Sequence, residues 1–176
     1  MTEQPVPRTT TIVVMGVSGA GKSTVAAELV ARLGWDFAEG DEFHPPENVE
    51  KMRAGIPLDD LDREPWLDAI AAWIAQVRDS GKRCVVACSA LKRAYRRRLA
   101  AGHDDVRFVY LQGDYDLIAG RLARRRGHYM PLALLRSQFD ALEEPGREEN
   151  PLVVPVDAPP EKIVATIATM LETVSG

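Results

Sequence analysis

Cysteine is scarce. The two present, Cys84 and Cys88, lie in the apolar run CVVAC, without the second pair or the histidines that a zinc site needs. They read as buried thiols of a strand. Long hydrophobic runs are missing too: none approaches the roughly 18 residues that span a bilayer. The opening MTEQPVPRTTT is polar and lacks the apolar centre of a secretory signal. There is no basic surplus either. The 22 Lys and Arg against 26 Asp and Glu leave a formal charge of -4, which excludes the basic footprint of a general nucleic-acid binder. The expectation is a cytoplasmic protein, frayed over residues 1–10, with neither nucleic acid nor membrane as partner. A small anionic ligand remains open, because such a site needs only a few local cations.

What is present is enough apolar material for one core. With 176 residues and 45% hydrophobic content, the chain fits a single domain, 1–176. Apolar β-branched runs alternate with amphipathic stretches. TIVVMG (11–16) reads as a strand buried on both faces. KSTVAAELVARL (22–33) places Val25, Leu29 and Leu33 on one helical face, with Gly34 as a stop. WDFAEGD (35–41) is a second strand. REPWLDAIAAWIAQVRDSG (63–81) is a helix with Pro65 in its first turn and a stripe of Trp66, Ile70, Trp73, Ile74 and Val77. CVVACS (84–89), VRFVYLQG (106–113) and PLVVPVD (151–157) are further strands. Helices lie between them, and one closes the chain. This alternation predicts an α/β fold: a parallel sheet covered on both faces, joined by right-handed crossovers.

One short stretch carries most of the chemistry. GVSGAGKS (16–23) follows a strand and opens a helix. Its glycines allow the backbone to curl so that successive N–H groups face phosphate oxygens. Lys22 is placed to reach the β- and γ-phosphates of a nucleotide, and the Ser23 hydroxyl to ligate Mg²⁺. The helix adds its N-terminal dipole.

The use of the nucleotide is written elsewhere. The strand CVVAC leads to Ser89 rather than to the Asp that usually serves the metal, and no guanine-reading N-K-x-D motif occurs. Acidic groups stand instead in EGD, as Glu39 and Asp41. Residues two apart in a strand point the same way. One carboxylate is therefore expected near the metal and the other near an acceptor hydroxyl. Asp41, His44, Lys51 and Arg63 in the following polar segment suit a small polyhydroxylated anion. Alternatives stay open: His44, before Pro45 and Pro46, also fits a helix start, and Lys51 and Arg63 also fit exposed helix charges.

Taken together, GVSGAGKS, EGDEFHPPENVEKMRAGIPLDDLDREPWL, CSALKRAYRRRL, FVYLQG and GHYMPLALLRSQFDALEEP resemble the small P-loop (thermoresistant-type) gluconokinases, from about Thr11 to Pro145. The resemblance implies a nucleoside-monophosphate-kinase-like P-loop kinase fold with a five-stranded parallel sheet in the order 2-3-1-4-5. It implies transfer of the ATP γ-phosphate to the 6-hydroxyl of D-gluconate with Mg²⁺, and a homodimer. Glu39 stands where related sequences often carry Asp, which keeps the charge and lengthens the reach.

On this reading Lys22, Asp41 and Arg125 are catalytic, and Ser23 and Glu39 serve the metal. Gly16, Val17, Ser18, Gly19, Ala20, Gly21, Lys22, Ser23 and Thr24 hold the nucleotide, joined by Arg121 and Arg125. Those two arginines are four apart on one helical face and look like the arginines of a lid, placed around 121–132, with His128 as a lid-structure residue. Asp41, His44, Lys51, Arg63, Lys92 and Arg96 bind the acceptor. Lys92 and Arg96 follow the third strand at the edge where open α/β sheets bind ligands, and are placed to meet the gluconate carboxylate. Arg97 and Arg98 fall on the outer helical face. Kinases of similar build acting on shikimate or nucleoside monophosphates are the alternatives, and HPPENVEKMRAGIPLDDLDR favours gluconate over both. A non-catalytic nucleotide-binding module is a third reading, opposed by the intact set of Lys22, Ser23, Asp41 and Arg125.

Overall fold

A computed structural model describes residues 8–124 and 131–175. Five parallel strands form one sheet: β1 (Thr11–Met15), β2 (Asp36–Glu39), β3 (Cys84–Ala87), β4 (Val106–Gln112) and β5 (Leu152–Pro155). Their order is β2-β3-β1-β4-β5, as the resemblance implies. Thr11 pairs in register with Cys84 on one side and Val106 on the other, so β1 is the central strand. Every β1 side chain is buried. This explains why IVVM is continuously apolar rather than alternating.

The helices divide between the two faces. Ile12 and Val14 point into a core shared with Val25 and Leu29 of α1 (Lys22–Leu33) and with Ile163 and Ile167 of α7 (Pro160–Ser175). Val13 and Met15 point the other way. They meet Trp66, Ile70 and Ile74 of α3 (Asp60–Asp79) and Leu99 of α4 (Arg93–Ala100). Cys84 and Cys88 are buried there as well, and enclosure pushes the Cys88 thiol up to about 12, which keeps it un-ionised. A short α2 (Pro46–Arg53) follows β2, and α5 (Tyr115–Arg124) and α6 (Leu132–Ala141) follow β4. Among the described residues no helix is long and apolar enough to cross a membrane.

Three boundaries differ from the periodicity. α3 starts at Asp60, three residues before the expected Arg63. Asp59 accepts from the Asp62 amide at 2.7 Å and Asp62 accepts from the Asp59 amide at 3.0 Å, a reciprocal cap formed before the apolar stripe begins. Pro65 therefore lies inside the helix. It has no N–H for the Leu61 carbonyl, but Leu61 is an exposed residue where water can replace that bond. β2 ends at Glu39, and residues Gly40–Phe43 turn into a 3₁₀ helix. At the start of the chain, residues 1–7 lie outside the described residues. The fraying expected through residue 10 stops short of Thr10, whose amide donates to the Asp105 carbonyl and whose carbonyl accepts from Cys84.

The turn after β2 depends on one glycine. A Cβ on Gly40 would sit 2.4 Å from the Ala87 carbonyl oxygen, a backbone atom of the neighbouring strand. The Trp66 indole N–H donates to the Gly40 carbonyl at 2.8 Å and fastens the turn onto α3. Gly40→Ala is expected to destabilise the protein by about 1–3 kcal/mol, the usual cost of forced overpacking. Urea unfolding of the variant beside the parent measures it, and an unchanged midpoint would contradict this packing.

Candidate active site

The loop Gly16–Gly21 leaves the C-terminal end of β1 and delivers Lys22 and Ser23 to the first turn of α1. Its turn at Gly19 has φ +85°, and a Cβ there would lie 2.9 Å from Leu122, so the position takes only glycine. Lys22 Nζ donates to the Val17 carbonyl at 3.0 Å, which folds the cation over the loop. The Ser23 hydroxyl donates to Glu39 Oε2 at 2.5 Å. Thr24 is exposed on the first turn of α1.

Beside the loop lies a cavity of about 280 Å³. Ser18 and Lys22 line it from the loop, Asp41 from the 3₁₀ turn, and Arg63 from α3. Ile56, Pro57 and Leu58 form an apolar wall, and Leu134, Ser137 and Gln138 of α6 close another side. Glu39 and Asp41 do reach the loop region together, but not by strand alternation. Glu39 ends β2, while Asp41 is carried by the turn that Trp66 and Gly40 hold.

Arg63 is oriented from outside the cavity. Its guanidinium donates to the Tyr95 hydroxyl at 3.2 Å, and that hydroxyl donates to Asp60 at 2.5 Å. Lys92 joins the same carboxylate at 3.0 Å. The hydrogen bond from Tyr95, followed by that from Lys92, holds the Asp60 carboxyl below its ordinary range.

Four residues expected at the acceptor lie outside the lining of this cavity. Arg96 is the clearest case. Only 1% of it is exposed, and its Nε and NH2 groups donate to Glu149 at 2.7 and 3.1 Å. Its remaining nitrogen donates to the Ala90 and Leu91 carbonyls. The helical turn that follows β3 points this residue inward, where it locks the β3–α4 connection. Lys51 pairs with Asp62 at 2.9 Å, tying α2 to the cap of α3. Lys92 pairs with Asp60, as described. His44 stacks on Trp66 with ring centroids 4.3 Å apart, and partial burial lowers its pKa from the ordinary histidine value, disfavouring the charged ring. None of the four lines the cavity. The outward placement of Arg97 and Arg98 does hold: both are exposed, and Arg98 pairs with Asp68 at 2.6 Å.

Arg121 donates to the Val156 carbonyl, at the C-terminal end of β5. Arg125, His128 and the part of the expected lid over 125–130 lie outside the described residues.

Comparison with known proteins places this geometry in a family. Residues 12–145 match the family described as "AAA domain". The chain is 47% identical over 153 residues to a gluconokinase of Gluconobacter oxydans, covering 87% of this chain and 86% of that protein. It is 44% identical over 161 residues to the thermoresistant gluconokinase of Escherichia coli, covering 91% and 92%. The chain belongs to the gluconokinase family. A solved structure described as a gluconokinase from Sinorhizobium meliloti superposes with a TM-score of 0.87 at 43% identity, covering 98% of this chain and 95% of that one. The family has a P-loop, and the loop at 16–23 with its following helix is that element in this chain.

Residues to which the sequence pattern gave no part in the site are now prominent. Gln138 bonds to the loop, Trp66 holds the Gly40 turn, and Glu149 neutralises Arg96. The D-x-x-D spacing of Asp59 and Asp62 was a readable helix-start signal; the partners of Gln138 and Glu149, 120 and 53 residues away, were not.

Arg96→Ala is expected to lower stability by about 3 kcal/mol, because it strands Glu149 without its charge partner in a mostly buried position. Burial opposes ionisation of Glu149, yet Arg96 and the Gly146 amide hold its carboxyl below the ordinary value. A depressed carboxylate stabilises the fold above its unfolded-state pKa and loses that contribution as pH falls through its folded value. The Arg96→Ala protein thus lacks that part of the acid limb. Thermal melts from neutral to acid pH check both points, and a variant as stable as the parent would refute the structural role.

Proposed function

We propose that this chain transfers the γ-phosphate of ATP to the 6-hydroxyl of D-gluconate, giving 6-phospho-D-gluconate and ADP. The observation that carries the reading is that Lys22 and Ser18 of the phosphate loop share one cavity with Asp41 and Arg63. A phosphate donor site and a carboxylate able to orient a hydroxyl thus adjoin, with a guanidinium for the acceptor's own carboxylate. The curated relatives' names point to the same acceptor.

The residues divide the work. The amides of the loop and the Lys22 ammonium neutralise charge on the phosphates. Asp41 hydrogen-bonds the 6-hydroxyl, orients it and takes its proton late in transfer. The bond from the γ-phosphorus to the β–γ bridging oxygen breaks, leaving ADP, as the bond to the 6-oxygen forms. Arg63 meets the gluconate carboxylate, held in aim by Tyr95. Arg121 and, by its motif position, Arg125 are assigned to the nucleotide, one to the base and one to the phosphates.

Ser23 and Glu39 form a pair of hard oxygen donors that fits Mg²⁺, which characteristically takes one or two protein oxygens and completes its shell with phosphate oxygens and water. Among the described residues no larger group of His, Cys, Asp and Glu could hold a metal by itself. An ion held by these two side chains would supply charge neutralisation for the phosphates. The reading extends to one kinase domain over 1–176, acting in the cytoplasm as a homodimer, without nucleic-acid or membrane partners.

A coupled assay of ADP release with gluconate, shikimate, AMP and no acceptor tests the proposal. Gluconate-dependent turnover that requires Mg²⁺ supports it, and equal turnover without gluconate refutes it. Lys22→Ala is expected to lower kcat by ~10²–10³-fold. Asp41→Asn is expected to cut kcat severely with ATP binding retained, whereas Glu39→Gln raises the Mg²⁺ concentration for half-maximal rate. Magnesium titrations of both carboxylate variants decide the assignment; a metal defect in Asp41→Asn alone reverses the two roles.

A further inference from the structure

The two halves of the cavity are joined by one side chain. Gln138 Oε1 accepts from the Ser18 amide at 2.7 Å, and its Nε2 donates to the Ser18 hydroxyl at 2.9 Å. The backbone N–H fixes which end of the amide is oxygen, so the NH₂ group faces the hydroxyl, and a second N–H remains for another acceptor. Gln138 is set by α6, which the fully buried Leu135 anchors in the core. The same helix lines the cavity through Leu134 and Ser137.

A phosphoryl group in transit occupies the space between the loop and the acceptor hydroxyl. Ser18, Lys22, Asp41 and Gln138 bound that space in this structure. We infer that Gln138 is a positioning residue for the transferred phosphate: it clamps Ser18 beside the third phosphate and ties the loop to the acceptor wall. Its two bonds hold the loop at the point where the γ-phosphate departs. The diphosphate end, served by the later loop amides and Lys22, does not depend on them. The inference rests on the phosphoryl-transfer reading, and it sharpens that reading by naming the residue that sets loop against acceptor.

Charge at position 138 provides the test. In Gln138→Glu the carboxylate still accepts from the Ser18 amide and hydroxyl, so the clamp survives, but a negative charge now faces the third phosphate. Affinity for a non-hydrolysable ATP analogue is expected to fall about tenfold or more while affinity for ADP stays within about twofold, as a like charge a few ångströms from the γ-phosphate dictates. In Gln138→Ala the clamp is lost without added charge. The turnover number with gluconate is then expected to fall about tenfold with KM for ATP within about twofold, the pattern of lost alignment in the transition state. A Gln138→Glu protein that loses ADP and the analogue equally, or a Gln138→Ala protein with parental kcat, overturns the inference. The nucleotide-affinity arm needs no acceptor. If the parent fails to phosphorylate gluconate while the Gln138→Glu split is present, the acceptor reading falls and the placement of Gln138 stands.

Discussion

The structure depends on the burial of β1. With β3 on one side and β4 on the other, and helices over both faces, this strand has no exposed edge or surface. Its C-terminal end opens between its two neighbours, at the point where the chain's connections diverge to opposite sides. That is where an open parallel sheet has room for a ligand. The phosphate loop is the direct continuation of this strand, and the Gly16 amide is fastened to the Ser89 carbonyl beyond the end of β3 at 3.2 Å. Displacing β1 would displace the loop, the start of α1 and the Lys22 and Ser23 side chains together.

The acceptor side has a different logic. It combines a 3₁₀ turn, the loop at 56–58 and residues of α3 and α6, so its polar groups need fastenings of their own. Gly40 approaches the β3 backbone closely enough to exclude any side chain, and Trp66 caps its carbonyl. The Asp62 carboxylate both accepts from the Asp59 amide at the start of α3 and pairs with Lys51. Tyr95 and Asp60 hold Arg63. Many charges of this polar segment are therefore spent on one another rather than on a ligand. A dense polar segment is as much a scaffold as a binding surface, because loops must satisfy their own buried polar groups.

Arg96 and Gln138 mark how far a sequence can be read at the site. CSALKRAYRRRL shows a basic helix after a strand and nothing that distinguishes an inward arginine from an outward one. The distinction came from Glu149, which is far along the chain and becomes a neighbour only when β5 is laid beside β4. Gln138 stood in an amphipathic helix as an ordinary polar residue. Its meaning arises because α6 folds back over the loop. In both cases the partner of the side chain is remote in sequence, and periodicity carries no information about remote partners.

The sequence by itself determined the α/β alternation, the central doubly buried strand, the phosphate loop with its lysine and serine, and the family to which these motifs belong. Those features are local: a 3.6- or 2-residue period, a glycine spacing, a contiguous motif. Tertiary structure alone decided which charged residues face the cavity. It sent Arg96 inward, paired Lys51 and Lys92 with carboxylates of α3, stacked His44 on Trp66, and left Lys22, Asp41 and Arg63 around one space with Gln138. The physical reason is that a charged or polar side chain goes to the partner that best offsets its desolvation, and that partner is chosen by the packing of the whole chain.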